Sequence, residues 1–373
     1  MKVDWLIVGA GYTGCVLAER IATQLNKKVL IVDRRRQIGG NAYDYFDEHG
    51  ILVHKYGPHI FHTNSKKVLE YLSQFTEWTP YSHQVLAEVE GKKIPVPFNL
   101  NSLHMTFPKK SAERLESLLV QTYGPETKVP ILKLRENSNP DLKELADYIY
   151  KNVFYGYTLK QWELKPEELD ASVTGRVPVF ISRDNRYFQD IHQAMPKAGY
   201  SEMFKKMTRH ENIQIVLNKD YRQVLSEVIF NRMVYTGPID SFFDSIHGDL
   251  PYRSLRFELV NHNMERYQEV GQMNYPNDHL YTRITEFKHL TSQKAQTTTV
   301  AVEYPEPYVK SKNEPYYPIP KEEFRKQYAK YLTEADKLNG SVVFAGRLAD
   351  YQYYNMDQAV ARALSVFSKF IGT

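Results

Sequence analysis

An α/β fold interrupted by two insertions is what this sequence predicts, and three observations carry the prediction. The chain opens with strand, glycine turn, helix and second strand in "DWLIVGAGYTGCVLAERIATQLNKKVLIVD". Short buried strands of the same type return in "IQIVLNKDYRQVL" and "NRMVYTGPID", and "SVVFAGRLADYQYYNMDQAVARALSVFSKF" closes the chain as strand, glycine, loop and helix. Between those pieces the apolar residues follow a helical period in one stretch and alternate in others. The parts are therefore interleaved, not strung in series.

In the opening unit Gly9, Gly11 and Gly14 form G-x-G-x-x-G between strand and helix, and Asp33 ends the second strand nineteen residues past Gly14. With strand, helix and terminal acid all in place, this is a Rossmann-like dinucleotide-binding fingerprint. The glycines let the backbone approach a pyrophosphate at the helix N-terminus, and Asp33 accepts hydrogen bonds from a ribose.

The later elements follow in order. "TNSKKVLEYLSQF" reads as a helix capped by Asn64 or Ser65, and "SHQVLAEVEGKKIPVPF" as a hairpin turning at Glu90-Gly91, with Pro95 and Pro97 marking an edge. From Ser111 to about Tyr157 the pattern is helical, with Pro140 and Asp141 starting its second half. Residues 170–190 and 250–305 are strand-rich. The division expected is an α/β domain from 1–80, 195–245 and 340–373, a helical domain at 100–165, and an antiparallel sheet domain from 81–99, 166–194 and 246–339.

Composition limits the function. A net charge of +4 on 373 residues, with no long Lys/Arg run, excludes bulk attraction to nucleic acid or membrane but permits a positive cleft for a small anion. Cys15 is the single cysteine, so no internal disulfide forms, a reducing compartment fits, and no cysteine pair is available to a metal. No signal peptide and no apolar run near the roughly 18 residues of a membrane helix is read, which makes the cytoplasm the expected location. The 28 tyrosines offer flat faces and hydroxyls, suited to sugars and bases and equally to half-buried packing.

The segment "HKYGPHIFHT" holds three histidines, with His59 and His62 three apart. Taken alone it is open between packing, a catalytic pair and a metal site, and zinc needs three or four ligands. The first fingerprint does not choose between NAD and FAD. Two later features favour FAD: Arg34 followed by a Gly39-Gly40-Asn41 turn, and Gly346-Arg347 before a helix opening near Asp357. That helix N-terminus carries about half a positive charge, placed to stabilise an anionic reduced flavin.

The blocks "IGGNAYDY", "HKYGPHIFHT", "GYTLKQW", "YTGPIDSFFD", "YRSLRFE", "YTRITEFKH", "EPYYPIP" and "GRLADYQYYNMDQ" occur in the order and approximate spacing of bacterial UDP-galactopyranose mutases, which the chain resembles over nearly its whole length. The resemblance implies an FAD-dependent isomerase that interconverts UDP-galactopyranose and UDP-galactofuranose through a flavin N5–sugar adduct without net redox change. It implies a homodimer, a role in polysaccharide supply, and electrons from NAD(P)H or a reductase. His59 is then expected beside the flavin, with no metal. Gly9, Gly11, Gly14, Asp33, Arg34, Gly39, Gly40, Asn41, His59, Ile60, Gly346, Arg347, Met356 and Asp357 are expected around the cofactor.

On the substrate side the matched motifs imply that Arg283 grips the diphosphate, that Tyr317 and Tyr353 donate to its oxygens, and that Trp162 belongs to a mobile loop over the substrate. Tyr157, with Val153 or Phe154, matches the uracil-stacking region. Arg253 is a further site candidate, and Lys160 is open between site and solvated loop.

The sequence departs from the family on the nucleotide side. Where the family has P-V-R, this chain has Pro178-Val179-Phe180, with Arg176, Arg183 or Arg186 as candidates to compensate. Asn355 stands in place of Asp, His83 in place of Asn, and His192 or Ile191 where a tyrosine would contact nucleotide. A mutase for another nucleotide sugar, a flavin oxidoreductase and a non-catalytic nucleotide-sugar binder are the alternatives.

Overall fold

A computed structural model of the chain describes residues 1–170, 175 and 177–372. Five parallel strands make its central sheet, in the order Ile213–Leu217, Val29–Asp33, Trp5–Val8, Arg232–Tyr235 and Val342–Phe344. Their apolar side chains face helices on both sides, as a buried parallel sheet requires. Helix Tyr12–Leu25 packs on the sheet through Cys15, Val16 and Ile21 and on the final helix, Met356–Val366. The Rossmann-like reading is the architecture found.

Helices Leu100–Thr106, Lys109–Tyr123, Ile131–Arg135 and Pro140–Ile149, followed by Gly156–Trp162, pack around Leu115, Leu119, Leu142 and Ile149, in a core shared with the strands Val85–Val89 and Lys92–Val96. Asn139 caps Pro140–Ile149 by accepting from the Asp141 and Leu142 N–H groups, with Pro140 at the first position. The helical run is broken where Gly124 and Glu126 take left-handed φ values of 84° and 56°. The chain then forms a short strand, Thr127–Val129, antiparallel to Val179–Ile181.

The third part is a sheet of seven strands, in the order Tyr317–Pro318, Tyr252–His262, Thr298–Pro307, Arg283–Glu286, Gln272–Asn274, Val85–Val89 and Lys92–Val96. It is mixed, whereas a purely antiparallel sheet was expected. The Val85–Val96 hairpin, turning at Glu90 and Gly91, joins from a distant part of the chain and lies parallel to Gln272–Asn274. The segment 246–339 also contains a helix, Glu322–Asp336. Ser65, not Asn64, caps Lys66–Leu72 through its hydroxyl.

Candidate functional site

A groove runs along the C-terminal ends of the parallel strands, a cavity of about 400 Å3 lined by Gly9, Gly11, Asp33, Arg34, Gly39, Gly40, Asn41, Gly346 and Arg347 among others. Gly9 needs its φ of +106°, and a Cβ there would lie 2.0 Å from Thr236 Oγ1. At Gly40 (φ +58°) a Cβ would lie 2.8 Å from the Gly11 Cα, so the two glycine turns nearly touch. Gly14 lies outside the groove; its missing Cβ would meet the Gly9 carbonyl oxygen at 1.9 Å, making it the helix–strand packing glycine.

Asp33 Oδ2 accepts from the Ala10 N–H and Oδ1 from the Arg35 N–H, each at 2.8 Å. The carboxylate thus pins both turns while still lining the groove. Arg34 is turned outward onto Glu314 at 2.5 Å. Its neighbour Arg35, which sequence reading passed over, does more inside. It lies over the Tyr56 ring, donates to Asn41 Oδ1 at 3.0 Å and pairs with Glu314 at 2.8 Å. A backbone cradle free of side chains beside a ribose-competent carboxylate fits a dinucleotide.

The groove opens into a second cavity of about 750 Å3, and His59, Asn41, Arg347, Asn355 and Met356 line both. His59 Nδ1 lies 2.8 Å from the Gly57 carbonyl, to which it donates, leaving Nε2 as the acceptor. Its backbone N–H donates to His54 Nδ1 at 3.0 Å. Burial lowers both imidazoles to about 3, so both are neutral. His62 is occupied by Asp190 at 3.0 Å and by the Phe188 ring. Among the described residues no cluster of His, Cys, Asp or Glu is placed to hold a metal. Of the histidines of "HKYGPHIFHT", His59 stands at the junction of the two cavities, His62 lines the second, and His54 is buried behind His59.

Arg347 is held at that junction by the carbonyls of Tyr354 (2.5 Å) and Tyr316 (3.5 Å), not by a surface ion pair. Asn355 is the N-cap of Met356–Val366, its N–H bonded to Gln358 Oε1 at 2.9 Å. Ile60 and Asp357 line only the second cavity, and Asp357 accepts from Thr63 Oγ1 at 2.9 Å.

Arg283, Tyr317 and Tyr353 converge on the second cavity and on a smaller adjoining one of about 170 Å3. The tyrosine rings stand 4.9 Å apart. Arg283 Nε lies 2.7 Å from Glu303 Oε2, at an angle outside a good hydrogen bond. Burial opposes the Arg283 charge, but Glu303 and the neighbouring tyrosines overcome it and hold the guanidinium well above its ordinary value. Burial likewise keeps the Tyr317 hydroxyl protonated. Sequence reading missed Glu303, although an acid within the apolar strand "TTTVAVEY" asks for a partner.

Phe154, Tyr157, Trp162 and Val153 line the smaller cavity with Gln161, whose buried Oε1 has no partner among the described residues. Trp162 stands at the end of a helix, not in a loop, 6.0 Å from the Tyr317 ring and 6.2 Å from that of Tyr353. Arg253, 2% exposed, lines none of these cavities. It fixes this helix end, donating to the Gln161 carbonyl at 2.9 Å and pairing with Glu163 at 2.8 Å.

Five further candidates fall away from the cleft. Phe180 is buried behind the wall. Arg183 pairs with Glu116 and Arg186 with Asp184, because both follow the strand as it leaves the cleft. Arg176 lies outside the described residues. His192 and Ile191 are excluded because the chain has already entered a small sheet, where His192 pairs with Thr63; Tyr187 lines the cavity instead. His83 does line it, 2% exposed and neutral, lowered to about 3 by burial and by Arg283.

Fold and site together define a Rossmann-type dinucleotide-binding protein whose cofactor groove opens onto a cleft built of arginine and tyrosine. A family model for UDP-galactopyranose mutase matches residues 152–353, and one for a NAD(P)-binding Rossmann-like domain matches 7–75. A probable UDP-galactopyranose mutase of Klebsiella pneumoniae is 36% identical over 370 residues, covering 99% of this chain and 94% of that protein. A dTDP-fucopyranose mutase of Escherichia coli is 33% identical, covering 98% of each chain. A crystal structure of reduced UDP-galactopyranose mutase superposes with a TM-score of 0.75 at 15% identity, covering 100% of this chain and 94% of the other. The chain belongs to the UDP-galactopyranose mutase family and is an isomerase of that family.

Proposed function

We propose that the protein interconverts UDP-galactopyranose and UDP-galactofuranose on a reduced FAD held in the glycine-lined groove. The observation that carries this is the meeting of Arg283, Tyr317 and Tyr353 in a cleft continuous with that groove at His59 and Arg347. When bound, the flavin supplies the nucleophile toward the anomeric carbon, which favours ring opening and reclosure once UDP has left. The chain's own work is to keep the departing diphosphate. The Arg283 guanidinium and the Tyr317 and Tyr353 hydroxyls are donors for its oxygens. Trp162 covers the tyrosine pair and excludes water, while Tyr157 and Phe154 offer faces to the base. Neutral His59 presents an acceptor without adding charge near the flavin. Residues of the Gly9 and Gly40 turns hold the cofactor pyrophosphate. The active form would be a homodimer receiving electrons from NAD(P)H or a reductase and supplying galactofuranose to polysaccharide synthesis.

The dTDP-fucopyranose mutase relative, together with Phe180 and His83, favours a second reading: the same chemistry on a related nucleotide sugar. The test reduces purified protein with dithionite and follows both UDP-galactose isomers by chromatography, beside an oxidised control. Interconversion only when reduced supports the first reading. No interconversion, but turnover of a deoxy sugar on dTDP, establishes the second.

A further inference from the structure

Among the described residues, the cations lining the substrate cleft have their donors engaged, with one exception. The Arg283 charge is matched by Glu303 and that of Arg325 by Asp170, while Arg347 keeps its charge and commits donors to two backbone carbonyls. Lys128 also lines the cleft, and among the described residues it makes no ion pair or hydrogen bond. Its exposed side chain extends from the strand Thr127–Val129, directly opposite Phe180 in Val179–Ile181. Residues paired in this way share one face of an antiparallel ribbon. Lys128 Nζ stands 5.7 Å from the centre of the Phe180 ring, within reach of a cation–π contact that steers the ammonium across the aromatic surface. Position 180 therefore has no charge of its own, yet a charge is delivered from the strand beside it.

A diphosphate carries at least two negative charges into this cleft. The Arg283–Glu303 pair supplies donors with little net charge, and the Arg347 donors are turned to backbone carbonyls, so a cation free to follow the diphosphate has to come from another strand. We propose that Lys128 is that cation, the residue that completes the diphosphate site opposite Arg283, with Phe180 as the platform that aims it. This rests on the cleft being a nucleotide-sugar site. An ammonium is a point charge without the guanidinium fork. The site would thus hold diphosphate strongly while constraining its orientation less, which suits more than one nucleotide sugar.

Titration calorimetry with UDP on the flavin-loaded protein tests the assignment without needing turnover. Lys128→Met is expected to weaken UDP binding by roughly 10- to 100-fold. It should also flatten the salt dependence of that binding, with the melting temperature and flavin spectrum unchanged. Lys128→Arg should stay within a few-fold of wild type. Where substrate turnover is measurable, KM should rise more than kcat falls. Phe180→Arg placed on Lys128→Met should recover affinity if it folds; the two Lys128 variants decide the matter if it does not. Lys128→Met binding UDP as wild type does overturns the proposal and leaves the mutase reading standing. A wild type that binds UDP, loses it in Lys128→Met and turns over no UDP-galactofuranose supports Lys128 and sinks that substrate. A wild type that binds neither UDP nor dTDP removes both.

Discussion

The Arg283 guanidinium faces a Glu303 carboxylate at 2.7 Å whose side chain is 1% exposed, while 20% of the arginine side chain reaches the cleft. Glu303 is fixed in turn by its strand and by the Thr282 hydroxyl at 3.2 Å. The carboxylate therefore orients the guanidinium and keeps it charged, and the free edge of the fork is left for substrate. Arg283→Ala is expected to lower kcat by about 100- to 1,000-fold, as the loss of one donor to a developing anion does elsewhere. Arg283→Lys should recover little, since an ammonium cannot reproduce the fork. Glu303→Gln should lower kcat and weaken UDP binding by misaiming Arg283, and destabilise the fold by about 3 kcal/mol. Steady-state kinetics beside UDP titration separates these outcomes.

The buried histidines make stability depend on pH in a defined direction. His54, His59 and His83 are each lowered to about 3, chiefly by burial. The unfolded chain takes up their protons near pH 6.5, and the folded chain does not until about 3. The unfolded state therefore binds more protons within that window, and stability falls as pH drops through it. At pH 5 each histidine contributes a loss of about 2 kcal/mol. Urea midpoints measured from pH 7.5 to 5 should decline, and His83→Asn should remove roughly a third of the slope.

Much of this arrangement was legible in the sequence because it depends on local chemistry. Gly9, Gly11, Gly14 and Asp33 are readable from spacing alone, since a strand–turn–helix leaves few ways to place them. Arg283, Tyr317 and Tyr353 came from motif resemblance, and the fold gathers all three. What could not be read was pairing between distant strands. Glu303 is defined by its register against Arg283, and Lys128 by its register against Phe180. Arg183 looked like a replacement cation because it is near Phe180 in sequence. The strand carries it out to Glu116 instead. Arg253 lies beside the site in the fold, yet it works on the helix end and not on the cleft.

The glycine cradle gives two distinguishable failures. At Gly40 an added methyl lies 2.8 Å from the Gly11 Cα in a left-handed backbone, directly in the groove. Gly40→Ala should fold and lose its yellow colour. At Gly14 the methyl meets the Gly9 carbonyl at 1.9 Å, between strand and helix. Gly14→Ala forces those elements apart and should cost several kcal/mol of overpacking, at or above the usual 1–3. Flavin absorbance beside a thermal melt tells the two apart: cofactor loss at near-normal stability for Gly40→Ala, and a lowered melt for Gly14→Ala even with excess FAD.

Lys160 latches the helix that carries Trp162. Its ammonium donates to the carbonyls of Tyr275 at 2.6 Å and His279 at 2.8 Å, with those of Tyr281 and Asn277 at 3.3 and 3.4 Å. This ties Gly156–Trp162 to the loop 275–281 and so holds the tryptophan over Tyr317 and Tyr353. Burial lowers this lysine to about 8. Between pH 8 and about 10.4 the unfolded chain keeps the proton that the folded chain has lost, so folding is not weakened as pH rises through that window. The latch is what changes, because the amine has fewer protons to share among the carbonyls. KM for the nucleotide sugar should therefore climb as pH passes 8, with kcat less affected. Lys160→Met should show a KM raised about tenfold already at pH 7, no further climb above 8, and red-shifted emission from Trp162 as it meets water. A variant whose KM still climbs above pH 8 would mean that the latch is not the group being titrated.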